Sequence, residues 1–419
     1  MQSRPLTRGS RLPSMISQFP RNAVTLLLTE PFWSVPANWF NTYFCLYMRA
    51  SGLSPVKIGW ITAFGIIGRL AFSLFGGHLA DNWGRKITLV VFDILSWSVP
   101  LAIWAFATEF WHFALCAVLN SLVWIAVPAW FCLFMEEARE DQRTKIYAIN
   151  HSIYFIAGLT LPLAGLIIKK AGFLPGMRLI IWIFFGSVAL MILLRASFLR
   201  ESHIGRKIKQ ENAFRPTEQS AANYGSSWCF LWRAKNLRTL LLLGIGYSFI
   251  ASMAGTYYAL FVTEKAGLNL SRDYLVFFAL LTSVITGTLS MFLVPKIPFH
   301  TEKKFLLFSQ LLNLAGYALF VMTPAGILLW IWPAIIFWAV SNGLYVPIRE
   351  GLWHNEMPNE ERAKIISLAG VLECLIILPA APLGGWIYQI NPRLLYLAGA
   401  AVVAGIIMLI TAYNQRERI

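Results

Sequence analysis

Four ionisable residues fall inside long apolar runs of this chain: Glu30, Arg69, Asp93 and Glu373. An ionised side chain near the centre of a membrane helix costs about 2.5–3.5 kcal/mol on insertion scales, so a charge retained there is a functional candidate. Around Glu30, the residues Ser34, Asn38, Asn41 and Cys45 recur at steps of three or four, which lays a polar stripe down one helix face. A stripe of that kind is expected to face water or solute rather than lipid. Pro31 and Pro36 interrupt the same segment and are expected to free carbonyls toward the wet side.

Arg69 and Glu373 fall at similar depth in their segments and could pair across the molecule. Asp93 is the competing partner, because the segments carrying Arg69 and Asp93 follow one another as an antiparallel hairpin. Both pairings stand open on sequence alone. A buried carboxylate favours its protonated form and a neighbouring guanidinium favours the ionised one, so Glu30 or Glu373 is the expected proton carrier. Other polar groups at membrane depth are Asn120, Trp124, Asn150, His151, Tyr154, Tyr247, Ser248, Tyr257, Tyr258, Thr282, Thr286, Asn342 and Tyr345. Each has a plainer reading as glue between neighbouring helices. Taken together, amides, tyrosines, one cation and two carboxylates suit a polar organic solute, a saccharide or organic ion, better than a greasy compound.

The elements that must position these groups follow from composition. The 419 residues are 57% hydrophobic and 13% charged, with a mean hydropathy of +0.60. Water-soluble domains usually carry about 25% charged residues, so this chain is read as an all-α polytopic membrane protein. Its apolar runs are continuous rather than alternating, which excludes an outer-membrane barrel. Spans are expected near residues 22–49, 56–80, 86–107, 111–135, 145–168, 178–198, 237–263, 273–295, 304–323, 326–349, 364–389 and 393–413. The amino-terminal segment is too long and too polar-studded for a cleaved signal and is expected to remain as the first span.

Of the 35 Lys and Arg residues, eight lie on one side (Arg49, Lys57, Lys169, Lys170, Arg178, Lys265, Arg272 and Arg393), Arg69 lies within a span, and the other 26 lie with the termini. The positive-inside rule therefore puts both termini in the cytoplasm of a plasma (inner) membrane protein. The net charge of +15 is spread among loops and does not form the stripe that nucleic acid requires. The five cysteines show no ligand spacing, and neither a metal nor another cofactor is expected.

The chain also repeats. Laid so that Arg143, Lys145 and Ile146 meet Arg362, Lys364 and Ile365, Gly165 meets Gly384 and Gly68 meets Gly287. This gives twelve transmembrane helices in two pseudo-symmetric six-helix bundles, residues 22–198 and 237–413, with a basic tail over 1–21 and a short tail over 414–419. A basic linker over 199–236 ends in an aromatic patch at Trp228 and Trp232, expected to touch anionic headgroups. Two parallel halves with a central linker form the architecture in which bundles rock around a midplane site.

Between the second and third spans stands GHLADNWGRKITL, with Gly77, Leu79, Ala80, Asp81, Gly84, Arg85, Lys86 and Leu89 at their characteristic places. Through this loop, together with span count, linker and repeat, the chain resembles the major facilitator superfamily over its whole length. The resemblance implies alternating access, and an aspartate, here Asp81, that latches one face to the eleventh span near residues 361–364. Asp81 can also accept from the N–H groups of a helix amino terminus. Gly77 is expected to permit close backbone approach and Gly84 a sharp turn, while Arg85 and Lys86 meet phosphates or carboxylates. The related loop over 292–308 keeps Lys303 and Lys304 but has no such aspartate. The mixed-charge runs over 136–145 and 355–364 are candidates to pair across the bundles. Gly158, Pro162 and Gly165 resemble the superfamily's fifth-helix pattern, without its adjacent Gly-Pro pair.

The function expected is a secondary active transporter, monomeric and driven by protons. A multidrug/H+ antiporter and a non-transporting solute sensor are the alternatives. No phosphate loop points to ATP, and no HExxH or GxSxG motif points to an enzyme.

Overall fold

The computed structural model describes residues 19–213, 224–298, 301–358 and 362–415. The first half comprises α1 (Arg21–Thr29 and Pro31–Ala50), α2 (Pro55–Trp83), α3 (Arg85–Trp104), α4 (Phe110–Met135), α5 (Glu140–Leu159 and Leu161–Ala171) and α6 (Phe173–Phe198). The second comprises α7 (Lys235–Gly255, then Tyr258–Thr263), α8 (Asp273–Lys296), α9 (Glu302–Met322), α10 (Ile331–Asn355), α11 (Arg362–Ile377 and Ala380–Ile390) and α12 (Pro392–Gln415). Two shorter helices, His203–Ala213 and Tyr224–Arg233, lie in the linker. Twelve rods in two six-helix bundles are what the hydropathy pattern predicts. Eleven are long and apolar enough to cross a bilayer. The remaining one, α1, breaks at Glu30 and carries the polar stripe.

Prolines inside the rods leave carbonyls without their i+4 donors, and neighbouring helices supply replacements. Pro36 deprives the Phe32 carbonyl, which accepts instead from Ser187 Oγ of α6 at 2.6 Å. Pro100 deprives Ser96, whose carbonyl accepts from Asn120 Nδ2 of α4 at 2.8 Å. Pro347 deprives Gly343, whose carbonyl accepts from Ser290 Oγ of α8 at 3.1 Å. The carbonyl freed by Pro36 therefore serves packing, contrary to the expectation that it faces a cavity, and Pro36 sits within a continuous helix. Wider π turns replace α geometry at Ile94–Ser98, Ala251–Gly255 and Leu289–Leu293.

The halves are joined on the side remote from the linker, called here the far side. Gly59 of α2 faces Ala381, and Gly385 of α11 faces Pro55, so closely that an added Cβ would stand 2.5 Å from each carbonyl oxygen. Tyr257 donates to the Ala381 carbonyl at 2.6 Å, with the Pro55 carbonyl 3.1 Å away. Above this seam Arg49 and Glu264 form an ion pair at 2.7 Å, and Tyr388 donates to the second Glu264 oxygen at 3.0 Å. At middle depth α5 meets α8, where a Cβ on Gly158 would lie 3.2 Å from Ser283 Oγ and one on Gly287 2.8 Å from Phe155.

Toward the linker side the halves part. One apolar core runs through the far side of both halves and down the second half. The linker-side core of the first half, with Leu26, Leu89, Phe92, Leu133 and Phe134, is a separate cluster. The molecule is thus sealed on the far side and open on the linker side.

Side chains at the seam have no room, since overpacking costs about 1–3 kcal/mol. Gly59→Leu should therefore shift the closed-to-open ratio of the far side by roughly 5–150-fold. Cysteines placed at Arg49 and Glu264 should cross-link efficiently in the parent and poorly in the Gly59→Leu background. Equal yields would show that the seam does not depend on backbone approach.

Candidate functional site

The most deeply buried charges form one cluster in the first half. Arg195 of α6 reaches Glu30 Oε2 with Nη2 at 2.8 Å and Asp93 Oδ2 with Nη1 at 3.0 Å, and its Nε donates to Thr29 Oγ1 at 3.2 Å. Tyr154 of α5 donates to the other Glu30 oxygen at 2.7 Å. The three charged side chains are only 5–6% exposed. Two carboxylates sharing one guanidinium leave one formal negative charge in a space of about 250 Å3 walled by Trp33, Trp97 and Trp130. Local sequence helps to place them. Glu30 stands where Pro31 breaks α1, and Asp93 immediately precedes the π turn of α3.

Sequence reasoning missed Arg195, which lies near the end of α6 and counts as a surface charge by position. Its signal is helical phase. Phe184, Val188, Met191, Ile192 and Arg195 are all buried and follow one another at steps of one, three and four residues, so the arginine interrupts the buried stripe of α6.

The pairings expected of Arg69 are not formed. Asp93 is taken by Arg195, and Glu373 accepts from Ser248 Oγ at 2.5 Å. The Arg69 guanidinium instead lies 4.1 Å over the Trp124 ring within the first half, a cation–π contact that substitutes for a carboxylate. Asn120 is spent on the Ser96 carbonyl. Tyr247 donates to Asn342 at 2.6 Å, and Asn342 donates back to the Trp338 carbonyl of its own helix. Tyr345 and Thr286 are likewise bonded to carbonyls of adjacent helices. Asn150 is buried, and the side chain of His151 lies outside the described residues.

A second space, of about 330 Å3, lies beneath the far-side seal between α1, α7, α8 and α10. Asn38 and Asn41 project into it from the predicted polar stripe, and Thr282, Ser283, Tyr258 and Trp338 face them from the second half. The π turn of α7 ends at its wall, where Gly255 and Thr256 contribute. It therefore spans both halves, directly under the seam.

The loop after α2 has a different geometry from the one its residues suggest. Gly84 adopts φ +97°, the left-handed region that glycine tolerates and other residues strain to reach. The amino terminus of α3 is capped by Glu201 from beyond α6, not by Asp81. Its two oxygens accept from the Arg85 and Lys86 backbone N–H groups, each at 3.0 Å. Arg85 is buried against Glu136 at 3.0 Å, and Ser202 donates to the same carboxylate at 2.5 Å. Asp81 is 44% exposed and only 3.4 Å from Arg85. A side chain on Gly77 would meet nothing within 4 Å; Gly76 makes the close approach, to the Trp124 carbonyl. The latch expected at residues 361–364 lies outside the described residues or their described side chains. Glu136 and Glu356 each bond within their own half in this state.

A family model described as the Major Facilitator Superfamily matches residues 32–381. The chain belongs to the major facilitator superfamily. No curated protein matches it by sequence. Among solved structures, it is similar to the nucleoside transporter NupG, at 13% identity over 93% of this chain and 99% of that one, with a TM-score of 0.72. It is similar to a POT family transporter in complex with a thioalcohol-conjugated peptide, at 11% identity over 96% and 99%, with a TM-score of 0.73. A bacterial homologue of the human lysosomal transporter Spinster, inward-facing and occupied, gives 15% identity over 94% and 96%, with a TM-score of 0.64. At these identities the likeness is one of fold. This superfamily member is thus a multi-pass membrane protein with the transporter fold.

Removing one partner from a buried ion cluster is costly because it leaves an uncompensated charge, typically about 3–5 kcal/mol. Arg195→Met should therefore destabilise this superfamily member by roughly that amount. Glu30→Gln, which keeps a hydrogen-bonding group for Tyr154, should cost less. Denaturant unfolding of the purified proteins in one detergent would test the order. Equal stability of Arg195→Met and the parent would show that the cluster does not hold the half together.

Proposed function

We propose that this protein is a secondary active transporter that carries a small polar organic solute across the membrane by alternating access, driven by protons. The observation that carries the reading is a polar cavity lying between two halves that are sealed on one side and parted on the other. In this reading the linker side is cytoplasmic, as the excess of Lys and Arg there favours, and the state is open to the cytoplasm. The Arg49–Glu264 pair and the Tyr257 contacts form the outer gate, which must part in the opposite state.

The Glu30–Arg195–Asp93 cluster is the proton site. One carboxylate can take a proton while the other still neutralises Arg195, so loading leaves no stranded charge. Coupling to the solute runs along α1, which carries Glu30 at its break and Asn38 two turns further on. Tyr154 and Gly158 provide a second connection on α5, since Gly158 abuts both Asn38 and Ser283. A proton on Glu30 weakens its bonds to Arg195 and Tyr154 and so frees both helices to move against the second half.

Proteoliposomes carrying the protein test this directly. Glu30→Gln should retain solute counterflow but lose accumulation driven by an imposed pH gradient, whereas Glu373→Gln should keep both. Gradient-driven accumulation with unchanged pH dependence in Glu30→Gln and Asp93→Asn would remove the cluster from the coupling path. Binding of a solute without counterflow would replace the transporter by a sensor.

A further inference from the structure

Resting on that reading, we infer that the solute is an uncharged, polyhydroxylated ring compound of one or two rings, of the kind sugars and nucleosides present. The argument begins with hydrogen-bonding capacity that the protein leaves unspent. The carboxamides of Asn38 and Asn41, the hydroxyls of Thr282, Ser283 and Tyr258, and the indole N–H of Trp338 line the space under the outer gate. None of them has a hydrogen-bond partner within the protein, whereas nearby groups of the same types do. Thr42 and Thr256, on the same wall, donate to carbonyls of their own helices at 2.9 and 2.7 Å. Buried polar groups are normally paired, so a convergent set without partners is matched to a ligand that pairs them.

The composition of that set selects the ligand. A hydroxyl both donates and accepts, and a carboxamide can bridge two adjacent hydroxyls with its N–H2 and its oxygen. Two carboxamides and three hydroxyls facing one space therefore suit a ring bearing several hydroxyls. The residues lining the space include no Asp, Glu, Lys, Arg or His. A charged solute would enter without a counter-charge and lose its hydration, which costs far more than burying a hydroxyl. The nearest candidates for a counter-charge are already engaged: Arg49 with Glu264, Arg69 with Trp124, and Glu373 with Ser248.

An apolar compound would fill the space and strand the amides. One wall does accept an apolar face, since Trp338 stacks on Tyr258 with centroids 5.9 Å apart and planes at 26°. The C–H face of a sugar ring or a flat base fits against such a wall. The volume of about 330 Å3 is at the lower end of ligand pockets, about 300–1,000 Å3, and limits the solute to one or two rings.

The test uses the full chain in lipid nanodiscs and matched ring pairs that differ in charge: glucose with glucuronate and glucosamine, and uridine with uridine monophosphate. Calorimetric binding should favour the neutral parent of at least one pair by roughly 10-fold or more. Asn38→Leu and the milder Ser283→Ala should each weaken that parent, by about 10-fold for the former, with apo melting temperatures showing that both variants fold. Tighter binding of a charged member than of its parent, no binding by any neutral member, or affinity unchanged in both variants would overturn the inference. Counterflow separates this inference from the transporter reading: a neutral ring that binds but never moves defeats transport alone, and movement of charged rings only defeats the ring assignment alone.

Discussion

Polar groups inside a hydrocarbon slab must be satisfied by the protein itself, and this requirement governs the architecture. Each proline that helps shape a rod exposes a carbonyl, and Ser187, Asn120 and Ser290 answer from other helices. These bonds fix which rods are neighbours as firmly as apolar packing does. They also explain why so many polar residues at membrane depth have no part in binding. Asn120 has the chemistry of a binding residue, yet its donor is consumed by the Ser96 carbonyl.

The same accounting separates the two halves. In the repeat register, Glu30, Asp93 and Arg195 fall on Phe249, Leu312 and Asn414, so the ionic cluster has no charged counterpart in the second half. There the buried polar groups of α9 and α10 are neutral, among them Gln310, Asn313 and Ser341. A buried ion cluster is a poor source of net stability, because desolvation offsets much of its attraction. Its presence in only one half therefore points to a role in switching. The second half, with a continuous apolar core, serves as the body against which the first half moves.

The junction between the halves depends on small residues for an equally simple reason. Without a water-driven hydrophobic force between rods, attraction comes from close packing and from hydrogen bonds. Gly59 and Gly385 bring α2 and α11 to backbone contact, and Tyr257 can then reach carbonyls of both halves. On the opposite face, Glu201 fastens the end of α6 to the start of α3, so that the linker is tied to the first half. The interface can open at one end while each bundle stays intact.

Much of this was legible in the chain itself. Hydropathy and charge delimit the rods, the internal repeat pairs the halves, the GHLADNWGRKITL loop identifies the superfamily, and the stripe on α1 marks Asn38 and Asn41 as cavity residues. These features are local, because length, period and turn chemistry are set by residues close in sequence. The tertiary structure alone decided the partners. Arg195 finds Glu30 and Asp93, Glu201 finds Arg85 and Lys86, and Arg69 finds Trp124 instead of a carboxylate. Helical periodicity tells which residues share a face but not which helix that face will meet. In a bundle of twelve rods, that choice belongs to packing and to the pairing of polar groups across distant segments.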